Sequence, residues 1–229
     1  MVPERQRQDW AFGYCLWYFD FPEFAGTFIS GNHGQNFLWQ MWEETGYKLY
    51  DSPWNVLRQE WYHAKMGGRR VPTFFLRLPP SVTVLDYGSG TAEMERLDWI
   101  EKGGRTILVD TPGPNFDYVR AKYSMETVEC LTNGKAVPAP YDALVCTHVF
   151  EHLEHPIETL KMLWDGLAPG GQALLWFDTG YPAPGHLPEA IAEFPKYERF
   201  LKKHAISVAN LKQYNWVEKP KRRFWHLWA

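Results

Sequence analysis

The chain has 229 residues, 45% of them apolar and 22% charged, which is enough for one compact domain of roughly 100 to 200 residues plus an embellishment. A formal net charge of −3 supplies no bulk positive field, and this excludes a histone-like nucleic-acid binder. No apolar run approaches the ~18 residues of a membrane span. The opening Met1-Val2-Pro3-Glu4-Arg5 has no apolar signal-peptide core, and Cys15, Cys130 and Cys146 form an odd set without paired spacing, so a reducing, cytoplasmic location is expected.

Rings are unevenly spread: Phe, Trp and Tyr make up 38 residues, and 19 of these lie in residues 1–80. That segment shows no period-2 alternation. Helices are expected over 36–44 and 54–65, with the glycine-bearing loop 30–34 before the first, and His33 there reads as a turn residue. The rings suit an N-terminal helical cap (1–80) docking on the main domain; an aromatic pocket for a planar ligand is the sharper use of them. Arg77-Leu78-Pro79-Pro80 then breaks the chain, and residues 81–229 form the second unit.

From Ser81 short apolar runs alternate with helix-length amphipathic stretches, the pattern of βα units on a mostly parallel sheet. Strands are expected over 82–86, 106–110, 127–131, 141–147 and 172–178. Helices are expected over 92–102, 115–123 and 157–167, the last carrying an apolar stripe at Ile157, Leu160, Leu163, Trp164 and Leu167 and ending at Pro169-Gly170-Gly171. Beyond Asp178 a helix over 187–203, interrupted near Pro195, precedes a hairpin with arms 215–218 and 224–228 around Lys219-Pro220-Lys221-Arg222-Arg223.

The chemistry is concentrated at Val84-Leu85-Asp86-Tyr87-Gly88-Ser89-Gly90-Thr91-Ala92, a strand that ends in an acid and turns through two glycines into a helix. Glycine lets the backbone turn tightly and leaves room for a ligand to approach. A dinucleotide would place a pyrophosphate on the helix N-terminus and needs glycine where this chain has Glu93. A ligand bearing a sulfonium and an ammonium instead gains from Asp86 and Glu93. Asp110 ends the next strand, where a carboxylate can take both hydroxyls of a ribose; this feature is shared by NAD and S-adenosylmethionine sites.

The runs Val84–Thr91, Ile107–Asp110, Tyr141–Leu153 and Leu167–Leu175 resemble the four successive signatures of class I S-adenosylmethionine-dependent methyltransferases, of the small-molecule type with Glu-His-Leu after the fourth strand. The resemblance covers residues 81–178 well and the tail loosely. It implies an α/β, Rossmann-like, seven-stranded, mostly parallel sheet with helices on both faces and the last strand antiparallel. It further implies S-adenosylmethionine as cofactor, held by Asp86, Gly88, Gly90 and Thr91 around the methionine moiety, Asp110 at the ribose, and Cys130 and Leu131 at the adenine. Thr147 and His148 would form the mouth where acceptor meets methyl. Three departures stand out: Ala92 replaces a third glycine, Thr111-Pro112-Gly113-Pro114 is stiff, and the third strand lacks a terminal acid for the adenine amino group.

A sulfonium methyl is already activated, so the protein has to align the reactants and, for some acceptors, remove a proton. His148 is the candidate base, against the plainer role of bonding backbone at a strand end; Glu151 and His152 read as loop-capping residues. A small-molecule acceptor is expected. No Asp/Asn-Pro-Pro-aromatic run and no Pro-Cys dipeptide follows the fourth strand, so DNA is a poor substrate, and the basic cluster Lys219, Lys221, Arg222 and Arg223 reads as a solvated turn. The His and Cys residues lack metal-ligand spacing, so no metal site is expected. A methyltransferase-like binding module without turnover and an NAD-linked oxidoreductase are the competing readings. The oligomeric state is not written in the sequence.

Overall fold

A computed structural model describes residues 56, 59, 72–91, 99, 103–123, 127–133, 135–180, 185–211 and 214–221. Its elements run α1 (Pro72–Arg77), β1 (Thr83–Tyr87), β2 (Arg105–Asp110), α2 (Pro114–Lys122), β3 (Val128–Thr132), β4 (Tyr141–Thr147), α3 (Pro156–Gly166), β5 (Leu167–Trp176), α4 (Pro188–Ala192), α5 (Phe194–His204), β6 (Ile206–Leu211) and β7 (Tyr214–Glu218). The expected helix over 36–44 and loop 30–34 lie outside the described residues. Of the helices expected over 54–65 and 92–102, Val56, Gln59 and Trp99 are described, and each is helical.

The strands form one seven-stranded sheet in the order β3-β2-β1-β4-β5-β7-β6. The pairs among β3, β2, β1, β4 and β5 are parallel, and β7 runs antiparallel to both β5 and β6. The chain order reverses between β1 and β4, the switch point at which open α/β sheets bind ligands beyond their carboxyl edge.

Both faces of the sheet are covered, which is why its strands read as continuous apolar runs and not as alternating ones. Val84, Leu108, Ala143, Val145, Leu174 and Trp216 point to one face, with Phe74 and Phe75 of α1 and Tyr118 and Val119 of α2. Leu85, Ile107, Val109, Leu144, Cys146 and Leu175 point to the other, with Leu160, Leu163 and Trp164 of α3 and Tyr197 and Leu201 of α5. The period-2 pleat sends neighbouring residues to opposite cores. α1 docks through Phe74, edge-on to Trp216 at 5.6 Å, and through the Arg77 guanidinium 5.0 Å over the same indole.

Two expectations change. Pro169-Gly170-Gly171 does not cap α3, which already ends at Gly166. These residues belong to β5 as an irregularity in its pairing with β4, and Gly170 donates its N–H to Lys219 O at 2.8 Å. The α3 end is capped instead by Lys219, whose Nζ donates to Trp164 O at 2.7 Å and Leu167 O at 2.6 Å. The expected hairpin also shifts: the arm at 215–218 is β7, but it pairs with β6 upstream, and 224–228 lies outside the described residues. The helix expected over 187–203 divides at Glu193 into α4 and α5, with Pro195 in the first turn of α5.

Candidate functional site

The glycine turn follows β1 directly. Gly88 and Gly90 adopt φ of +72° and +55°, left-handed values that L side chains rarely take. Gly88 and Ser89 donate their N–H groups to Val109 O at 2.8 and 3.1 Å, so the turn folds back over the end of β2. The Gly90 N–H then reaches the Asp110 carboxylate at Oδ2, 2.6 Å away, while Oδ1 accepts the Thr111 N–H at 2.7 Å. Two sequence-predicted elements are thereby joined by one carboxylate. The Thr111 hydroxyl also donates to Oδ1, at 3.3 Å.

Asp86, in β1 directly before the turn, is buried at 1% exposure. Thr91 is buried too, and its N–H donates to the carboxamide oxygen of Gln59 at 2.9 Å. Gln59 is a site residue that the sequence reading missed. It sits inside an expected helix, 32 residues before its partner, with no local signal. A Cβ on Gly90 would come within 2.5 Å of its Oε1, so the two residues are in close contact.

Cys130 and Leu131, both expected at the adenine, alternate across the pleat: Cys130 packs toward the core that holds Tyr118, Leu131 toward the one that holds Val109. Burial raises the Cys130 thiol pKa, and Arg120 partly offsets this. At the carboxyl edge it is Thr132 that stands opposite Asp110, and Asn133 donates its N–H to Asp110 O at 2.9 Å.

Thr147, buried, ends β4 opposite Trp176. His148 then takes a φ of +58°, a conformation that costs a non-glycine residue about 1–2 kcal/mol and that reverses the chain at the sheet edge. Its side chain is 44% exposed, with Nδ1 at 3.5 Å from Glu151 Oε1 and 3.8 Å from Asp178 Oδ2 and its ring 3.6 Å from that of Trp176. Glu151 is fully buried, and its Oε2 accepts the Asp178 N–H at 3.3 Å. Next to it, His152 Nδ1 lies 2.7 Å from Gly185 O and is thereby the protonated nitrogen. Burial holds the His152 pKa below the ordinary imidazole value, with the Glu151 charge opposing. Of the basic cluster, Lys219 is spent on the α3 carbonyls and Arg222 and Arg223 lie outside the described residues.

A doubly covered parallel sheet with a glycine turn after β1, an anchored acid after β2 and polar groups after β4 defines the Rossmann-like class of nucleoside-binding α/β proteins. Within that class the chain belongs to the methyltransferase domain family, whose model matches residues 58–216. The family implies S-adenosylmethionine as methyl donor and does not support the NAD-linked alternative. Among solved structures the chain is similar to the S-adenosylmethionine-dependent methyltransferase SibL (19% identity over 73% of this chain and 58% of that one, TM-score 0.48). It is similar also to a putative rRNA-methylase from Clostridium thermocellum (16%, 64% and 92%, TM-score 0.48) and to the N-methyltransferase NodS from Bradyrhizobium japonicum WM9 (15%, 65% and 94%, TM-score 0.47). The chain thus spans under two thirds of the SibL chain. No curated protein sequence matches it. Among the described residues, no helix is long and apolar enough to cross a membrane.

Proposed function

We propose that this protein transfers a methyl group from S-adenosylmethionine to a small-molecule nucleophile. The observation that carries the reading is the Asp110 carboxylate, fixed at the carboxyl edge of the sheet by the Gly90 and Thr111 N–H groups beside the glycine turn, where the ribose of such a cofactor would lie. The residues fit such a ligand: the turn needs glycine at two left-handed positions, and Asp86, just before it in β1, is an acid, which suits a cationic ligand better than a pyrophosphate. When bound, the cofactor supplies an activated methyl group. The chain supplies position and a proton acceptor. Thr132 and Asn133, level with Asp110 at the edge, join Leu131 as the residues for the adenine end. Thr147, His148 and Trp176 line the acceptor side.

In His148, Nδ1 is turned toward Glu151 and Asp178, which leaves Nε2 as the atom that takes the acceptor's proton; the two carboxylates stabilise the imidazolium that results. We read residues 1–80 as a cap over the acceptor, a role supported by α1 docked on the sheet and by Gln59 at the glycine turn. Calorimetric titration of the full chain with adenosylhomocysteine is expected to show one site. That site is lost in Asp110→Ala and kept in His148→Ala, while methyl transfer to a responsive acceptor falls about 10²–10⁴-fold in the latter. An absence of heat with the wild-type chain overturns the proposal.

A second reading, a binding module without turnover, draws on the Gln59 contact, since a side chain lying on the turn competes with a ligand there. It requires Gln59→Ala to tighten adenosylhomocysteine binding; the enzyme reading requires it to weaken.

A further inference from the structure

We propose that Glu151, His152 and His186 form a binding site for a first-row divalent transition-metal cation, an inference that goes beyond the methyl-transfer reading. One ligand atom from each of the three lies within 4.8 Å of the others. His186 is far along the chain, in the segment before α4, and the fold brings it back: Leu187 donates its N–H to Glu151 O at 2.9 Å.

Three features set this cluster apart from a chance meeting of polar groups. Glu151 is fully buried, yet its Oε1 has no hydrogen-bond partner; the nearest imidazole nitrogens, at 3.5 Å (His148) and 3.9 Å (His152), are beyond an N–H···O bond. A buried carboxylate oxygen without compensation is costly, and a cation removes that cost. His152 has its Nδ1 fixed on Gly185 O, so the nitrogen that faces Glu151 Oε1 is the lone-pair-bearing Nε2. A metal-bound imidazole is commonly oriented in this way, with its other nitrogen donating to a backbone carbonyl. His186 stands edge-on to His152, ring centroids 5.0 Å apart, and its Nδ1 is buried with no hydrogen-bond partner. The three donor groups of the cluster therefore converge on one another.

Donor chemistry selects the ion. Two imidazoles and one carboxylate favour Zn²⁺, Fe²⁺, Co²⁺ or Ni²⁺ over Mg²⁺ and Ca²⁺, which prefer oxygen ligands. Ligands about 2.1 Å from one ion stand roughly 3 to 3.6 Å apart, so seating it draws the three groups inward by about an ångström. Three protein ligands leave at least one position for water or an acceptor oxygen.

The test titrates the metal-stripped full chain with Co²⁺ and Zn²⁺ alone, without S-adenosylmethionine, so its result is independent of methyl transfer. Expected are one equivalent bound, a cobalt ligand-field band without thiolate charge transfer, and a raised melting temperature. His186→Ala and Glu151→Gln should each weaken binding by more than about tenfold, while Asp178→Asn, in the neighbouring cluster with His148, changes it by less than about threefold. Should His186→Ala not fold, His186→Asn and the wild-type spectrum carry the test. No stoichiometric uptake, a thiolate band, or a loss in Asp178→Asn with retention in His186→Ala overturns the site.

Discussion

Gly88→Ala perturbs the turn through two separable effects. Gly88 has φ of +72°, which costs an alanine about 1–2 kcal/mol. The new Cβ would also fall 2.2 Å from Cγ2 of Val149, and relieving that overlap adds about 1–3 kcal/mol. The total of about 2–5 kcal/mol shifts a urea midpoint down by about 1–2.5 M at a slope of ~2 kcal/mol/M. Val149→Ala deletes both crowding methyls and leaves Cβ at 3.3 Å; alone, trimming this half-buried side chain costs about 1 kcal/mol. The double variant keeps the φ cost and loses most of the overlap, so its destabilisation should be about 2–3 kcal/mol, with a coupling of about 1–3 kcal/mol. Urea unfolding of the four chains by tryptophan fluorescence gives the cycle, and adenosylhomocysteine affinity should recover in part along with it. Additivity within ~0.5 kcal/mol would refute the contact, and with it the placement of the residues after His148 against the glycine turn.

Asp110→Asn should weaken adenosylhomocysteine by about 10–100-fold in a calorimetric titration, since it removes the charge that strengthens both backbone and ribose hydrogen bonds. Lys219→Met strips the cap from the carbonyls of Trp164 and Leu167 and should cost about 1–3 kcal/mol in urea unfolding without altering cofactor affinity. Burial raises the pKa of Tyr141, whose hydroxyl donates to Leu163 O, and that of Tyr197. The unfolded chain ionises these phenols near pH ~10 while the folded chain keeps them neutral. Their stabilisation is therefore complete below pH ~10 and is lost as pH rises above it, at up to about 1.4 kcal/mol per unit for each. Tyr141→Phe should reduce that slope in midpoints measured from pH ~8 to ~11, and an unchanged slope would contradict the burial argument.

How much was legible depends on the range of the interaction concerned. β1, β2 and β4 were readable because strands covered on both faces carry continuous apolar runs, here Val84-Leu85, Ile107-Leu108-Val109 and Ala143-Leu144-Val145-Cys146, which show within a few places of one another. The α3 stripe at Leu160, Leu163 and Trp164 was readable for the same reason at helical period. The two-glycine turn and the acid at the end of β2 follow from local backbone chemistry, and together they placed Asp110 at the sheet edge before any fold was known. Only tertiary structure decided which strand β7 would take as partner, because edge pairing is chosen by long-range register, and the run Ile206–Leu211 leaves Ile206 and Val208 exposed. The meeting of Gln59 with Thr91, and of His186 with Glu151, was equally out of reach. Neither pair shares a local pattern, and each is brought within hydrogen-bonding or ligand distance by the packing of segments far apart in the chain.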